Sequence, residues 1–327
     1  MIYMVSIIIP VYNSSKTIRK SLNSVLNQTY KELEVIVVDD SSTDDTLSIL
    51  HGYENDSRVK VFNIEHIGCV GAYIYGVKKA TSPYVMMLDS DDEYKADYVF
   101  KMVTLIQKYK TDSVVSSYEI YDGKKIRVVC NGLKTGVHLT SVINKICNKA
   151  LSSQYDVIPV RFTHIYKRDI IMSFLDELNY KVKQREDNIF NYLYLQNSNS
   201  IYIDNELRSY IYYVNPNSIT NNYYSNYLLD FCYSVDYLYV LSNNYEECQS
   251  LLIDSISIGV SKSIDNNVKY KDIKEMFKYI SKSELLHYKP LYRKYSFKEK
   301  MVVKLIFYNQ YKLLYFLYKI IKKNDNG

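Results

Sequence analysis

The sequence of 327 residues has no tryptophan and little glycine or proline, with 9 and 5 residues respectively. The sequence shows no internal repeat and no low-complexity linker. No apolar run reaches the roughly 18 residues that a membrane-spanning helix needs. Apolar residues make up 47% of the chain and charged residues 24%, which are ordinary proportions for a globular protein. The composition therefore predicts one large domain, or one domain with an appendage.

The five cysteines are scattered, odd in number and never spaced as CxxC. Disulfide frameworks need paired cysteines and structural zinc sites need closely spaced ones, so the sequence argues against both. The first residues, MIYMVSIIIPVYN, lack the basic start of a signal peptide and are interrupted by a proline. We therefore predict a buried strand there, and a cytoplasmic protein that is either free or peripheral on the inner face of the cell membrane.

Basic charge is concentrated near the C-terminal end. The net charge is +5, whereas residues 289–327 hold ten basic and two acidic side chains, a net +8 that leaves −3 for the rest. A local partner for this tail is expected, rather than nucleic acid bound to the body of the protein. KEKMVVKLIFYNQYKLLYFLYKIIKK predicts one amphipathic helix that suits a membrane surface, a helical bundle or a second subunit in a homodimer. Five lysines are predicted to form a stripe along it: Lys300, Lys304, Lys312, Lys319 and Lys323.

Apolar strands alternate with amphipathic helices along the first third of the chain. Strands that are apolar on both faces and separated by helices predict a parallel sheet covered on both sides. A hairpin is predicted at YDGKK, because Asp-Gly favours a tight turn. Strand signals cease near residue 222, so a helical region is predicted after about residue 220. The predicted strands are 4–11, 33–40, 59–64, 84–89 and one that starts at 112, and the predicted helices include 95–110, 138–151 and 185–196.

Carboxylates follow two of the predicted strands at the point where each strand ends. LEVIVVDD ends in Asp39 and Asp40, and YVMMLDSDDEY carries Asp89, Asp91 and Asp92. In open α/β sheets, ligands bind beyond the carboxyl ends of the strands. Clustered carboxylates repel one another and favour either bulk water or a hard cation that also binds phosphate oxygens. An acidic turn alone is a weak signal, and a solvated loop is the alternative.

Three segments follow one another at a characteristic spacing: VSIIIPVYNSSKTIRKSLNSVLNQTY, LEVIVVDDSSTDDT and ATSPYVMMLDSDD. Together they resemble the nucleotide-sugar-binding half of bacterial family 2 glycosyltransferases, whose fold is of the GT-A type. The resemblance implies an α/β GT-A domain with a mainly parallel central sheet over residues 1–220. Within it, residues 1–115 would be the nucleotide-sugar-binding half and residues 116–220 the acceptor half. An α-helical region with the basic amphipathic tail would follow over residues 221–327.

The resemblance implies a nucleoside site at the first two strand ends. The family segment that matches Pro10 to Asn13 borders the nucleoside, and Tyr12 would stack on its base. Asp40 would accept a hydrogen bond from uracil, and Asp39 would brace the site. Capping of the following helix by these two acids is the alternative.

The resemblance also implies a divalent cation on the donor diphosphate. Asp91 would hold Mn²⁺ or Mg²⁺, and Asp89 would lie close to the ribose and the metal. The metal ligands would thus be Asp91 and Asp89. The implied donor site as a whole consists of Pro10, Tyr12, Asn13, Asp39, Asp40, Asp89, Ser90 and Asp91.

A downstream Glu-Asp pair matches the family's general base. REDNIF supplies Glu186 and Asp187 at the start of a predicted helix. Inverting transfer needs a carboxylate within hydrogen-bond reach of the acceptor hydroxyl, so Asp187 is the predicted base and Glu186 its support. The alternative is that both acids stabilise the N-terminus of their helix through its dipole. Farther on, YIYYVNPNSIT resembles a closing loop that would bring Ser218 near the donor phosphates.

The chain departs from the family pattern ahead of the fourth strand. Where many members carry Arg and Asn, the segment GCVGAYI has Tyr73 and Ile74. A cation expected near the diphosphate is therefore missing. Lys78, Lys79 and Arg161 are the candidates to replace it.

These observations predict an inverting glycosyltransferase with a nucleotide-sugar donor, expected to be a UDP-sugar. The predicted acceptor is a saccharide or lipid-linked saccharide in the synthesis of cell-surface polysaccharide or glycoconjugates. A metal-dependent nucleotidyltransferase is one alternative, although this class usually has a Gly-rich phosphate loop that the chain lacks. A nucleotide-sugar-binding protein with impaired catalysis is the other, because it would explain the missing Arg.

Overall fold

The computed structural model describes residues 4–143, 145, 156–179, 182–215, 224–290 and 297–325. The chain divides into two compact units. The first comprises Met1–Lys145, Gln154–Tyr180 and Asp187–Asn215, and the second comprises Ile146–Ser153, Lys181–Glu186 and Pro216–Gly327. The assignment of a donor half and an acceptor half within residues 1–220 stays a prediction.

The first unit begins with parallel strands joined by helices. In chain order these elements are β1 (Val5–Val11), α1 (Ile18–Leu26), β2 (Leu33–Asp39), α2 (Thr46–His51), β3 (Val59–Asn63), α3 (Gly68–Lys79) and β4 (Tyr84–Met87). β1 pairs in parallel with β2 on one side and with β4 on the other, and β3 pairs in parallel with β2. All residues of β1 and β2 are buried, which explains why both strands are mostly apolar. The predicted α/β sheet is confirmed.

The elements that follow complete this sheet and build a smaller one. They are β5 (Glu93–Tyr94), α4 (Tyr98–Tyr109), β6 (Ser113–Ser116), β7 (Tyr118–Tyr121), β8 (Ile126–Val129), β9 (Gly136–Leu139), β10 (His164–Lys167), α5 (Arg168–Phe174), α6 (Glu186–Gln196), β11 (Ser200–Asp204) and β12 (Tyr210–Tyr213). The larger sheet has the order β3-β2-β1-β4-β10-β6-β11-β9, and the smaller sheet has the order β5-β12-β7-β8. β10 runs antiparallel to both β4 and β6, so the larger sheet is mixed but mostly parallel.

The predicted fifth strand is interrupted. It starts at Asp112 in the sequence, but regular pairing breaks at Ser117, and β6 and β7 belong to different sheets. The Asp-Gly hairpin is confirmed, since β7 and β8 pair antiparallel on either side of it. Gly123 in this turn has a φ of 88°, a conformation that side chains other than glycine rarely adopt.

The helix predicted over residues 138–151 is wrong at its start. Residues 138–139 belong to β9, and Thr140–Val142 form a short 3-10 turn. Leu139 is exposed on β9, which lies at the edge of the larger sheet. Residues 144 and 146–151 lie outside the described residues.

The second unit is built from helices after residue 224. These are α7 (Tyr227–Ser242), α8 (Tyr245–Asp265), α9 (Tyr270–Ile280), α10 (Phe297–Phe307) and α11 (Tyr311–Asp325). α7 and α8 pack so closely that a Cβ on Gly259 would lie 2.5 Å from Leu228 Cδ1, which favours glycine at this crossing. The predicted helical C-terminal region is confirmed. Among the described residues, none of the helices combines the length and apolar content that crossing a bilayer requires.

The tail consists of two helices rather than one. Asn309 separates α10 from α11 and has a φ of 53°, the left-handed conformation that commonly ends a helix. The predicted continuous lysine stripe is therefore wrong, and the side chain of Lys323 lies outside the described residues. The break separates two exposed lysines on α10 from two on α11, namely Lys300 and Lys304 from Lys312 and Lys319.

Candidate active site

The loops after β1, β2 and β4 are joined by hydrogen bonds at the carboxyl end of the larger sheet. The backbone N–H of Asn13 donates to Ser42 Oγ at 2.9 Å, and its side-chain oxygen accepts from the N–H of Thr43 at 2.7 Å. Ser14 Oγ lies 2.7 Å from Ser90 Oγ in the loop after β4. Neighbouring parallel strands end at the same edge, so segments far apart in sequence meet there. The residues placed at this edge are Pro10, Tyr12, Asn13, Asp39, Asp40, Asp89, Ser90 and Asp91.

The acids at the end of β2 are buried and held by backbone donors. Asp40 Oδ1 accepts from the N–H of Ile67 at 2.7 Å, and Oδ2 accepts from that of Gly68 at 2.9 Å, where α3 begins. Asp39 accepts from the N–H of Ser42 at 3.3 Å and from its hydroxyl at 2.5 Å. A helix N-terminus stabilises a carboxylate, so Asp40 fixes the start of α3. The capping alternative had assigned these acids to α2 instead.

The imidazole of His66 links the Asp40 carboxylate to the ring of Tyr12. His66 Nδ1 lies 2.9 Å from Asp40 Oδ2, and the His66 ring packs on Tyr12 with centroids 4.7 Å apart and planes at 37°. Tyr12 is 46% exposed, so part of its surface is open to a ligand. His66 is absent from the site predicted from the sequence. It follows the end of β3 by three residues, so the rule that ligands bind beyond strand ends would have selected it.

The three aspartates after β4 have different surroundings. Asp92 is buried and accepts from the Tyr210 hydroxyl at 2.6 Å and from the N–H of Tyr213 at 2.8 Å. Burial, reinforced by the nearby charge of Asp89, raises the pKa of Asp92 well above its ordinary value. Asp89 and Asp91 are only half-buried. Asp92 therefore anchors the loop to β12, whereas the other two carboxylates stay closer to its surface.

The donor atoms of this loop fit a hard cation that shares its coordination with a diphosphate. Asp89 and Asp91 offer carboxylate oxygens and Ser90 offers a hydroxyl. Mg²⁺ commonly takes one or two protein carboxylates and fills its remaining positions with phosphate oxygens and water. Within the described ranges, no group of three or more His, Cys, Asp or Glu side chains is placed to hold a metal by itself. The side chains thus suit a metal that binds together with the donor.

Asp187 and Arg161 form an ion pair in which Arg161 Nε donates to Asp187 Oδ1. Arg161 lies in a turn before β10, and this turn packs against β4, the strand that leads to the acidic loop. Glu186 is the first residue of α6 and is half-buried. The predicted base therefore sits in the first turn of a helix and is held by a guanidinium. Ser218 lies outside the described residues.

The guanidinium of Arg161 also lies over Tyr73. Its central carbon is 5.1 Å from the centre of the Tyr73 ring and 6.0 Å from that of Phe190. Lys78 instead pairs with an exposed aspartate at 3.7 Å, and Lys79 lies over two other aromatic rings. Of the three candidates to replace the missing Arg, Arg161 is the one that contacts Tyr73.

A family model described as "Glycosyl transferase family 2" matches residues 6–169, a region that includes the strand ends after β1, β2 and β4 together with Arg161. The chain belongs to glycosyltransferase family 2. It is therefore a glycosyltransferase, as the sequence predicted. The nucleotidyltransferase alternative finds no support in this match.

The relatives of this glycosyltransferase include lipid-linked-sugar enzymes of Escherichia coli. The "UDP-Glc:alpha-D-GlcNAc-diphosphoundecaprenol beta-1,3-glucosyltransferase WfaP" is 30% identical over 203 residues, which are 61% of this chain and 79% of WfaP. WfgD of Escherichia coli, which is named for the same activity, is 36% identical over 38% of this chain and 49% of its own length. "Glycosyltransferase GlyA" of Streptococcus pneumoniae is 36% identical over 35% of this chain, but the match spans only 16% of GlyA.

Solved structures confirm the GT-A type of fold for this glycosyltransferase. S. aureus TarS 1–349 in complex with UDP has a TM-score of 0.69 at 19% identity, covering 98% of this chain and 92% of that one. The same TarS fragment with UDP-GlcNAc has a TM-score of 0.72 at 17% identity, with the same coverage. The mannosyltransferase PcManGT of Pyrobaculum calidifontis, in complex with GDP-Man and Mn²⁺, has a TM-score of 0.54 at 15% identity, covering 95% of this chain and 88% of that one.

Proposed function

We propose that this family 2 glycosyltransferase transfers a sugar from a UDP-sugar to a saccharide acceptor with inversion at the anomeric carbon. The observation that carries the donor assignment is the fixed Asp40 carboxylate, which His66 links to the exposed ring of Tyr12. Asp40 Oδ1 accepts from one backbone N–H and has a second lone pair, which can accept from the N–H of uracil. The ring offers a face on which the base can stack. The UDP bound to TarS and the UDP-Glc in the name of WfaP support the same donor class.

The acidic loop after β4 is the proposed site of the donor diphosphate and its metal. Asp91 and Asp89 would hold Mn²⁺ or Mg²⁺ there, and the Mn²⁺ in the PcManGT structure supports a metal in this fold. When bound, the cation supplies positive charge that stabilises the departing nucleoside diphosphate. The contact between Ser90 and Ser14 ties this loop to the nucleoside side of the site.

Asp187 is the proposed general base. Its carboxylate accepts the proton of the acceptor hydroxyl while the hydroxyl oxygen bonds to the anomeric carbon and the bond from that carbon to the diphosphate oxygen breaks. The ion pair with Arg161 engages Oδ1 and holds the carboxylate in one orientation, and Oδ2 is assigned to the hydroxyl. Glu186 supports this arrangement at the start of α6. An oriented base favours an active enzyme over a binding protein with impaired catalysis.

A lipid-linked saccharide is the proposed acceptor class. WfaP is named for an acceptor of this class, a GlcNAc-diphosphoundecaprenol, and this chain covers most of its length. The reaction would then contribute to cell-surface polysaccharide or glycoconjugate synthesis on the inner face of the cell membrane.

The proposal is tested by nucleotide release from UDP-, GDP- and dTDP-sugars with Mn²⁺, with and without a lipid-linked saccharide. Wild type is compared with Asp91→Ala and Asp187→Asn, and Asp176→Asn serves as the control for an exposed acid outside the site. We expect acceptor-dependent UDP release that both site variants lose, while Asp187→Asn still binds UDP. The proposal would be overturned if the wild type neither bound UDP nor released it from any donor.

A further inference from the structure

The last helix, α11, has an apolar face on each of two sides. Tyr311, Leu314 and other inward residues are buried in the described structure, as expected for packing within the second unit. On the opposite side, Leu313, Phe316 and Ile320 are 57%, 44% and 60% exposed. Their spacing of three and four residues places them in one row along the helix. A solvent-facing helix side is ordinarily polar, so this row needs another explanation.

Lysines border the same row. Lys312 and Lys319 are exposed and lie seven residues apart, so they fall on one edge of the row, two turns from each other. Lys322 differs from them, because it pairs with Asp265 and donates to the carbonyl oxygen of Ser261 at 3.2 Å. The lysines beside the apolar row are thus distinct from the lysine that fixes α11 to its own unit.

We infer that the α11 outer face, formed by Leu313, Phe316 and Ile320 with Lys312 and Lys319, docks on the surface of an anionic lipid bilayer. Apolar side chains enter the interface between headgroups and acyl chains, and lysines beside them meet negative headgroups. A second copy of the chain is the less favourable occupant, since two such faces would bring lysines of the same charge together. This inference rests on α11 and does not require the proposed donor or acceptor.

The test is co-sedimentation of the full chain with vesicles of phosphatidylcholine alone, or of phosphatidylcholine with phosphatidylglycerol. Wild type should bind the anionic vesicles. Binding should weaken as the salt concentration is raised, because salt screens the attraction between lysine side chains and anionic headgroups. The triple change Leu313→Ser, Phe316→Ser and Ile320→Ser should weaken binding by more than about tenfold. The pair Lys312→Glu and Lys319→Glu should weaken it by at least about fivefold for each charge removed.

Matched controls on other helices distinguish binding through this face from non-specific apolar adsorption and from the effect of the protein's net charge. Val240→Ser on α7 removes a residue that is 76% exposed, and the pair Lys271→Glu and Lys274→Glu on α9 changes the same charge elsewhere. Both should bind vesicles as the wild type does. Far-UV circular dichroism and UDP binding of every variant show that the fold and the donor site are intact.

Three outcomes of the vesicle assay would overturn the inference. The wild type could fail to bind anionic vesicles, or the triple variant could bind them as tightly as the wild type. The control variants could also lose as much binding as the variants of the α11 outer face. Sedimentation equilibrium without lipid tests whether a second copy of the chain binds this face instead. A dimer that the triple change dissociates would overturn the inference and make this face an interface between copies. Absence of UDP binding by the wild type would instead count against the proposed function. It would not affect the conclusion drawn from vesicle binding.

Discussion

Arg161 is bonded to Asp187, and its guanidinium carbon lies 5.1 Å from the centre of the Tyr73 ring. Arg161 is only 3% exposed and Tyr73 is fully buried. The resemblance implies an arginine on α3 at the position that Tyr73 occupies. The Tyr73 ring instead packs on Arg161, which comes from another element. The positive charge is present in this region, but it is directed at the predicted base.

Replacing Arg161 should therefore affect the chemical step more than donor binding. Arg161→Lys keeps the charge but loses the planar group that stacks on Tyr73 and bonds Asp187 through Nε. We expect kcat to fall by about 10-fold to 100-fold, because a base that is no longer held in orientation is less effective. The Kd for UDP, measured by titration calorimetry, should change by less than about threefold on the same reasoning.

The control for this variant is Tyr73→Phe. The Tyr73 hydroxyl is buried and has no hydrogen-bond partner in the described structure, so removing it leaves the ring beneath Arg161 in place. Activity and stability should stay at or slightly above those of the wild type, since an unpaired buried hydroxyl is unfavourable. If Arg161→Lys weakens UDP binding as much as it lowers kcat, Arg161 contacts the phosphates and is not a positioning residue for Asp187.

The exposed ring of Tyr12 gives a second prediction. Tyr12→Ala should weaken UDP binding by about fivefold to a hundredfold, the range expected for losing one aromatic partner of a base. Tyr12→Phe keeps the stacking face and should bind UDP nearly as the wild type does. Fluorescence or calorimetric titration with UDP measures both. Equal weakening in the two variants would mean that the hydroxyl, and not the ring face, contacts the nucleotide.

The first half of the site follows from the sequence because its residues are coupled to strand ends. Tyr12, Asp40 and Asp91 each come shortly after a continuous apolar run, and neighbouring parallel strands must finish at one edge. No contact between distant side chains has to be known. The order of apolar runs and acids along the chain is therefore enough to place these three residues together.

The second half depends on contacts that periodicity does not encode. Arg161 lies in the turn before the antiparallel strand β10, whereas Tyr73 lies on α3. The strand β10 itself was not predicted from the sequence. The break at Asn309 was not predicted for a related reason. Lysines at steps of about four continue through it, so the pattern resembles one helix although the backbone turns.

Glu34 on β2 gives a prediction about pH. Burial alone would raise the pKa of Glu34, but hydrogen bonds from Lys60, Ser6 and Thr81 outweigh it, and the pKa lies below its ordinary value. A lowered pKa in the folded state adds stability above the unfolded value of about 4.3, and this contribution fades as the pH falls through the folded value. Glu34→Gln should therefore cost about 1–3 kcal/mol at pH 7 and progressively less below about pH 4.

Urea unfolding of wild type and Glu34→Gln at several pH values measures this difference. Lys60→Met is the companion variant, because it removes the main partner while leaving the carboxylate in place. It should reduce the stability of the protein and move the acid transition to higher pH. A difference between wild type and Glu34→Gln that stays constant from pH 7 to about pH 3 would contradict the assignment.

The neighbouring aspartates after β4 should have opposite phenotypes. Asp92 accepts two hydrogen bonds in the interior, so Asp92→Ala leaves the O–H of Tyr210 and the backbone N–H of Tyr213 without their acceptor and should cost about 2–4 kcal/mol of unfolding free energy. Asp91 is half-buried and is assigned to the metal, so Asp91→Ala should unfold within about 0.5 kcal/mol of the wild type. It should instead abolish the enhancement of UDP binding by Mn²⁺, which calorimetry with and without the ion measures. Tyr210→Phe serves as the control, because it removes one partner of Asp92 and the acceptor of the Asp89 N–H but leaves the Asp91 carboxylate in place. Retention of the Mn²⁺ effect in Asp91→Ala would show that the acids of this loop stabilise the fold and do not bind a metal.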